Sequence, residues 1–260
     1  MVIPLRDDNP AHSRPVVTLG LIIVCVVVYF ALQPQDQRGS EEFLYEYAAI
    51  PCEVVHGEAL SEQLVAECES TRVLAGQLDD EPVFPRKSPY MAIIFSMFFH
   101  GSLLHLGGNM LFLWIFGNNV EDRLGKGLYF IFYIVAGLAA AAAHIATEPN
   151  SIIPVVGASG AIAGVMGAYL VFFPRARILT IVPLFIFIQF VHLPAYVVLG
   201  AWFLLQFFTN VDSGVAFMAH IGGFVAGAGI ALALRPFLGS RVRRPPLDPG
   251  SGGGFPNPYR

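Results

Sequence analysis

The sequence is short of charge. Only 13% of its 260 residues are Asp, Glu, Lys or Arg, against about 25% in an average chain. That deficit points to a membrane protein. There is no basic excess either: the net charge is −4, which leaves nothing to suggest nucleic-acid binding. Cysteine is scarce. The three present fit no zinc ribbon or redox pair. Cys25 lies in an apolar run and reads as inert. Cys52 and Cys68 share one loop and can pair if that loop faces an oxidising space. The sequence has no His-Glu-x-x-His motif, so zinc-protease chemistry is disfavoured, and no metal or cofactor is expected. Internal repeats are lacking as well, which argues against a small transporter.

What is abundant is hydrocarbon, 55% of the chain. Val16 to Leu32 is an uninterrupted apolar run of spanning length. It is long for a signal-peptide core and no Ala-x-Ala site follows, so it is expected to be retained. Further apolar stretches run from Met91 to Gly117, Leu128 to Thr147, Ala161 to Phe173, about 193 to 208, and Val215 to Leu234. The run from Ile178 to Phe208 is too long for one upright helix, and Pro183 and Pro194 divide it. Its first part is expected to be an embedded or interfacial connection. The fold expected is all-α and polytopic, with six transmembrane helices. Four parts follow: a terminal segment and first span over 1–32; an acidic outer loop over 33–90, with short amphipathic helices; a membrane core over 91–235; and a Pro-, Gly- and Arg-rich tail over 236–260, expected to be disordered.

Lys and Arg set the orientation. With both termini cytoplasmic, the inner side receives Arg6, Arg14, Arg123, Lys126, Arg175, Arg177, Arg235, Arg241, Arg243 and Arg244. The outer side receives only Arg38, Arg72, Arg86 and Lys87, spread over the acidic loop. The positive-inside rule favours this arrangement.

In that topology His100, His105 and Asn109 of the second span, Ser159 of the fourth and His220 of the sixth all fall in the outer half of the membrane. Polar side chains there are unfavourable and should face the bundle interior or a wet cavity. His105 and Asn109 are four residues apart and share a helix face. Gly160-x3-Gly164 follows Ser159, and Gly223-x3-Gly227 follows His220 within a turn. Small residues at this spacing let helix backbones approach closely, which would bring imidazole to hydroxyl. A serine beside a neutral imidazole is an activated nucleophile. No carboxylate is well placed to orient His220. Glu121 and Asp122 are on the cytoplasmic side and Asp212 lies above the site, so a Ser-His dyad is expected. Donors for an oxyanion would be the Ser159 N–H, Asn109 and His105, with His100 nearby. His144 and His192 read as packing or interfacial residues.

These pieces together resemble the rhomboid intramembrane serine proteases, of the prokaryotic six-span type. The resemblance rests on His100-x4-His105-x3-Asn109, Gly117-x3-Glu121-x3-Gly125, Gly157-Ala158-Ser159-Gly160 and Ala219-His220-x2-Gly223-x3-Gly227. It covers about residues 91 to 235 and implies Ser159 as nucleophile and His220 as base. Asn109, His105 and His100 would serve the oxyanion. Glu121 and Arg123 would be structural, in a polar network near the cytoplasmic end of spans two and three. It further implies metal-free cleavage of other proteins' transmembrane segments near their outer ends, in a prokaryotic cell membrane. Many members carry a tyrosine four residues after the serine, packed under the histidine; Ala163 stands there instead. The Trp-Arg pair common in the first loop is replaced by Met91-Ala92. An inactive rhomboid-like escort of membrane clients is the main alternative. Oligomeric state and natural substrate are not encoded legibly.

Overall fold

The computed structural model describes residues 3–9, 11–70, 78–184, 187–208 and 216–239. Strand β1 (Ile3–Asp7) leads into helix α1 (Val16–Val27), which continues as a π turn over Val28–Leu32. Three short helices follow: α2 (Gln37–Tyr47), α3 (Pro51–His56) and α4 (Glu62–Cys68). Then come α5 (Pro89–Ser96), α6 (Leu103–Leu124), α7 (Lys126–Thr147) and α8 (Ser159–Phe172). A hairpin of β2 (Arg177–Leu184) and β3 (Phe187–Pro194) precedes α9 (Ala195–Gln206) and α10 (Phe217–Leu234).

The chain is mostly helical, but the all-α expectation is corrected. β1, β2 and β3 form an antiparallel sheet in that order. Ile178 pairs with Leu193 and with Asp7, so the N-terminal segment adds a third strand to the hairpin. The reason is local composition. Residues 178–182 and 187–191 are β-branched or aromatic at most positions, which favours a pleated chain over a helix. The Met91–Gly117 stretch is also not one helix. α5 ends at Ser96, and α6 restarts when the Ser102 hydroxyl accepts the His105 N–H at 3.1 Å, a serine N-cap. His100 therefore lies in the connection between helices.

Among the described residues two helices are long and apolar enough to cross a membrane, α7 and α10, with mean hydropathy 2.0 and 1.8. α1 with its π turn, α8 and α9 are apolar but shorter. Large apolar side chains point outward, among them Ile23 on α1, Ile131 on α7, Leu204 on α9 and Val225 on α10. An exterior of this kind suits hydrocarbon, not water.

α8 is the central helix. Ten of its fourteen residues are buried, enclosed by α6, α7, α9 and α10. Its seam with α10 is made by glycines. A Cβ on Gly223 would run into the Gly160 carbonyl oxygen, and one on Gly227 into that of Gly164. The backbones touch there, as close small-residue packing requires. At the other end of α6, buried Glu121 holds the start of α1. Its carboxylate accepts from the Val17 N–H at 3.0 Å, the Thr18 N–H at 2.8 Å and the Thr18 hydroxyl at 2.8 Å. These are helix-start donors with no intrahelical partner. Arg123 does not join Glu121; it donates to the Gly239 carbonyl at 3.0 Å.

The outer segment has its own small core of Ile50, Cys52, Leu60, Leu64 and Cys68, crossed by a Cys52–Cys68 disulfide with 6.3 Å between Cα atoms. The Glu53–Lys87 ion pair, 2.6 Å long, is almost wholly buried. Burial pushes the Glu53 carboxyl up and the Lys87 ammonium down, and the contact between them opposes both shifts. The expected tail from 236 on lies outside the described residues beyond 239, as does Asp212.

Candidate active site

Ser159 is the first residue of α8. Gly157, two residues before it, has φ +121°, a region open to glycine and strained for other residues. The Gly157 N–H donates to the Ser96 carbonyl at 2.9 Å, tying this turn to the end of α5. Side chains would not fit here either: a Cβ on Gly157 would lie 2.9 Å from His105 Nε2 and 3.6 Å from Asn109 Nδ2. The α6 face carrying His105 and Asn109 is thus pressed against the turn that presents Ser159.

His220 lies one turn into α10. Its Nε2 is 2.9 Å from Ser159 Oγ, and its Nδ1 is 2.8 Å from Gln206 Oε1. The Trp202 ring lies beside the imidazole, 5.7 Å between centroids and inclined by 40°. Ala163 is buried in α8 and supplies no ring. The support on this side comes from α9 instead.

His100 sits against His105, rings 5.2 Å apart and near perpendicular. Its backbone is fixed by Gln33: the His100 N–H donates to Gln33 Oε1 and Gln33 Nε2 donates to the His100 carbonyl, both at 3.0 Å. Among the described residues three buried nitrogens in this region lack a protein partner: His100 Nε2, Asn109 Nδ2 and His144 Nδ1. An unpaired buried amide is uncommon and calls for an explanation. Beside Ser159 a cavity of about 50 Å³ is lined by Met97, Gly137, Ala140, His144 and Gly157 among others. It has room for a few waters or a small side chain, not for a large one.

The structure therefore brings Ser159, His220, His105, Asn109 and His100 to one place, with Gly157 and Gly160 beside the serine and Gly223 and Gly227 on the α10 seam. Glu121 and Arg123 lie apart, at the far end of α6. Gln206 and Trp202 are absent from the residues picked out of the sequence. The available signal was an amide at the end of a twelve-residue apolar helix, where polar groups are rarely idle. His192 is on β3, 3.4 Å from an Asp8 oxygen, away from this site.

The Rhomboid domain family model matches residues 87–237. The chain belongs to the rhomboid family, whose members are membrane proteins. It is 34% identical over 151 residues to the mitochondrial rhomboid protein 1 of Saccharomyces cerevisiae, covering 53% of this chain and 40% of that protein. It is 27% identical over 214 residues to the rhomboid protease GluP of Bacillus subtilis, covering 79% of this chain and 38% of that protein. With RHOMBOID-like protein 5 of Arabidopsis thaliana it shares 29% identity over 149 residues, 56% of this chain and 45% of the other. The chain thus spans less than half the length of each of these relatives. The family supports intramembrane proteolysis, and some members are inactive.

Proposed function

We propose that this chain is an intramembrane serine endopeptidase that cleaves transmembrane segments of other proteins with Ser159 as nucleophile and His220 as base. The observation that carries the reading is the 2.9 Å approach of His220 Nε2 to Ser159 Oγ, within the range for a hydroxyl hydrogen bond to nitrogen. His220 removes the hydroxyl proton as Oγ attacks the scissile carbonyl carbon. The carbonyl oxygen becomes an oxyanion, which needs donors already in place. The unpaired Asn109 Nδ2 fits that need, together with the Ser159 N–H and His105; His100 backs His105. Collapse breaks the C–N bond, and His220 returns its proton to the leaving amine. Water then attacks the acyl-serine, again with His220 as base, and frees the enzyme.

In this reading α1, α6, α7, α8, α9 and α10 cross the bilayer, both termini are cytoplasmic, and Glu121 and Arg123 are structural. Arg14, Arg123 and Lys126 stand near Glu121, where α1 and α7 start and α6 ends, and the disulfide-bearing segment would face an oxidising exterior. A prokaryotic plasma membrane fits this polarity. The small cavity beside Ser159 fits a small side chain next to the cut. No metal or cofactor takes part. A fluorophosphonate probe is expected to label the protein in membranes and to spare Ser159→Ala. Equal labelling of that variant would remove the assignment. An escort without activity would leave the wild type unlabelled.

A further inference from the structure

We infer that Gln206 is the positioning residue for His220: its amide oxygen takes the Nδ1 hydrogen and holds the imidazole in the tautomer whose Nε2 faces Ser159. The inference rests on the reading of Ser159 and His220 as nucleophile and base, and it extends that pair to a relay of three side chains.

The relay starts at a backbone carbonyl. Gln206 Nε2 lies 3.0 Å from the Trp202 carbonyl oxygen, one turn back on α9. A carbonyl only accepts, so the NH2 group must be the end of the amide that faces it. The other end, Oε1, then faces His220 Nδ1 at 2.8 Å. That oxygen only accepts, so Nδ1 must carry the hydrogen. In a neutral ring the hydrogen on Nδ1 leaves Nε2 bare. Bare Nε2 is 2.9 Å from Ser159 Oγ and can accept its proton. Each step follows from the one before, and all three bonds are of ordinary length.

The same turn of α9 fixes the plane of the ring. Trp202 and Gln206 are four residues apart and share a face. Trp202 lies against His220, and its own ring is 6.1 Å from Phe224. One helix face thus supplies both the bond and the plate that Ala163 cannot. The chemistry resembles the asparagine that orients histidine in Cys-His-Asn proteases. An amide suits this depth, since a carboxylate would carry the penalty of a charge in hydrocarbon. α9 buries only Ala195, Val198, Leu199 and Gln206. It is pinned at its start by backbone bonds from Ala195 and Tyr196 to residues 176 and 174, whereas Gln206 is at the opposite end. The orientation of the base therefore depends on the far end of α9 being seated on α10.

The test uses the full chain in liposomes, with Gln206→Leu, Gln206→Glu and Ser159→Ala. The readouts are the rate of fluorophosphonate labelling from pH 5 to 9, kcat and KM on a reporter transmembrane substrate, and the thermal midpoint. Gln206→Leu keeps the shape but loses the acceptor. It is expected to slow labelling and kcat about 10- to 100-fold, the scale of a misplaced general base, with KM changed less than about twofold. Gln206→Glu keeps an acceptor and adds a negative charge that favours the protonated ring. It is expected to restore most of the rate and to move the acid limb of the profile upward. His105 and His144 are the other titratable groups that act on His220, and neither is altered. Unchanged labelling and profile in Gln206→Leu, with Ser159→Ala silent, would overturn the role of Gln206 and leave the dyad standing. Equal slowing in both Gln206 variants with an unmoved limb would also overturn it. Labelling of Ser159→Ala would instead remove the dyad itself. If Gln206→Leu fails to fold, the profile of Gln206→Glu decides.

Discussion

The α8–α10 seam and the outer segment hold together by opposite means. The seam has no side chain to speak of: Gly160, Gly164, Gly223 and Gly227 let two backbones meet. The outer segment uses a disulfide, a buried ion pair and capped helix starts, with Asp36 and Ser61 accepting from Gly39 and Leu64. The difference reflects the solvent. Among lipid tails there is no gain from hiding hydrocarbon, so close backbone contact carries the association. In the topology proposed above the outer segment faces water; a segment so short has too little core of its own and needs covalent and ionic ties. Shape holds the seam, and chemistry holds the outer segment.

The largest expected effect breaks the shape. Gly227→Val places a side chain on the Gly164 carbonyl oxygen, and α8 cannot retreat from α7, where Ala136 already lies beneath Gly164. Loss of fluorophosphonate labelling and of a cooperative thermal transition is expected. Removing one partner of the buried ion pair comes next. Lys87→Met strands the Glu53 carboxylate and is expected to destabilise the outer segment by about 3–5 kcal/mol, read by proteolysis of that segment. A smaller effect follows from the disulfide. Cys52 and Cys68 are 16 residues apart, and a loop of that size is worth about 3 kcal/mol. Reduction, or Cys52→Ser with Cys68→Ser, is expected to speed cleavage within 37–68 while leaving the thermal midpoint of the helix core unchanged. A shift of both together would show that the two regions are one cooperative unit.

The smallest effect concerns the three-stranded sheet. Asp7 accepts from Asn119 Nδ2 at 2.6 Å and from the Tyr169 hydroxyl at 2.7 Å. Burial nonetheless pushes its carboxyl up to about 6 from 3.8. The folded state therefore holds the proton more tightly than the unfolded one. Docking of β1 should be strongest below pH 4, weaken as pH rises from about 4 to about 6, and stay level above. Hydrogen exchange of the β1 amides across that range checks it, and Asp7→Asn should flatten the profile. Gly164 and Gly227 of the seam lie more than a turn from Ser159 and His220 and carry no side chain to titrate, so exchange there should change less.

Much of the helical frame was legible, because long apolar runs and their breaks at proline and charge mark where helices sit. The nearness of Ser159 and His220 was readable too, from glycines at spacing four beside each. The sheet was not. The run from Ile178 to Val191, apolar but for Thr180 and Gln189, has no regular alternation and reads equally as helix or strand, and nothing in residues 3–7 announces a partner about 170 residues on. The break at His100 was missed because Gly101 and Ser102 sit inside a stretch otherwise apolar enough to read as one span, and the Ser102 cap is a single atom. Gln206 was missed for a different reason. One amide in an apolar helix gives no direction, and its partner His220 lies beyond a connection whose path no local rule supplies.

By itself the sequence determined where the apolar runs lie, where lysine and arginine gather along the chain, and where backbones may touch, since these depend on composition and spacing along one chain. The tertiary structure alone decided that a strand from the N-terminus completes a sheet, that Glu121 holds the start of α1, and that Gln206 faces His220. Those are contacts between positions far apart or across a turn, set by how helices rotate about their axes, and rotation is fixed only when every neighbour is in place.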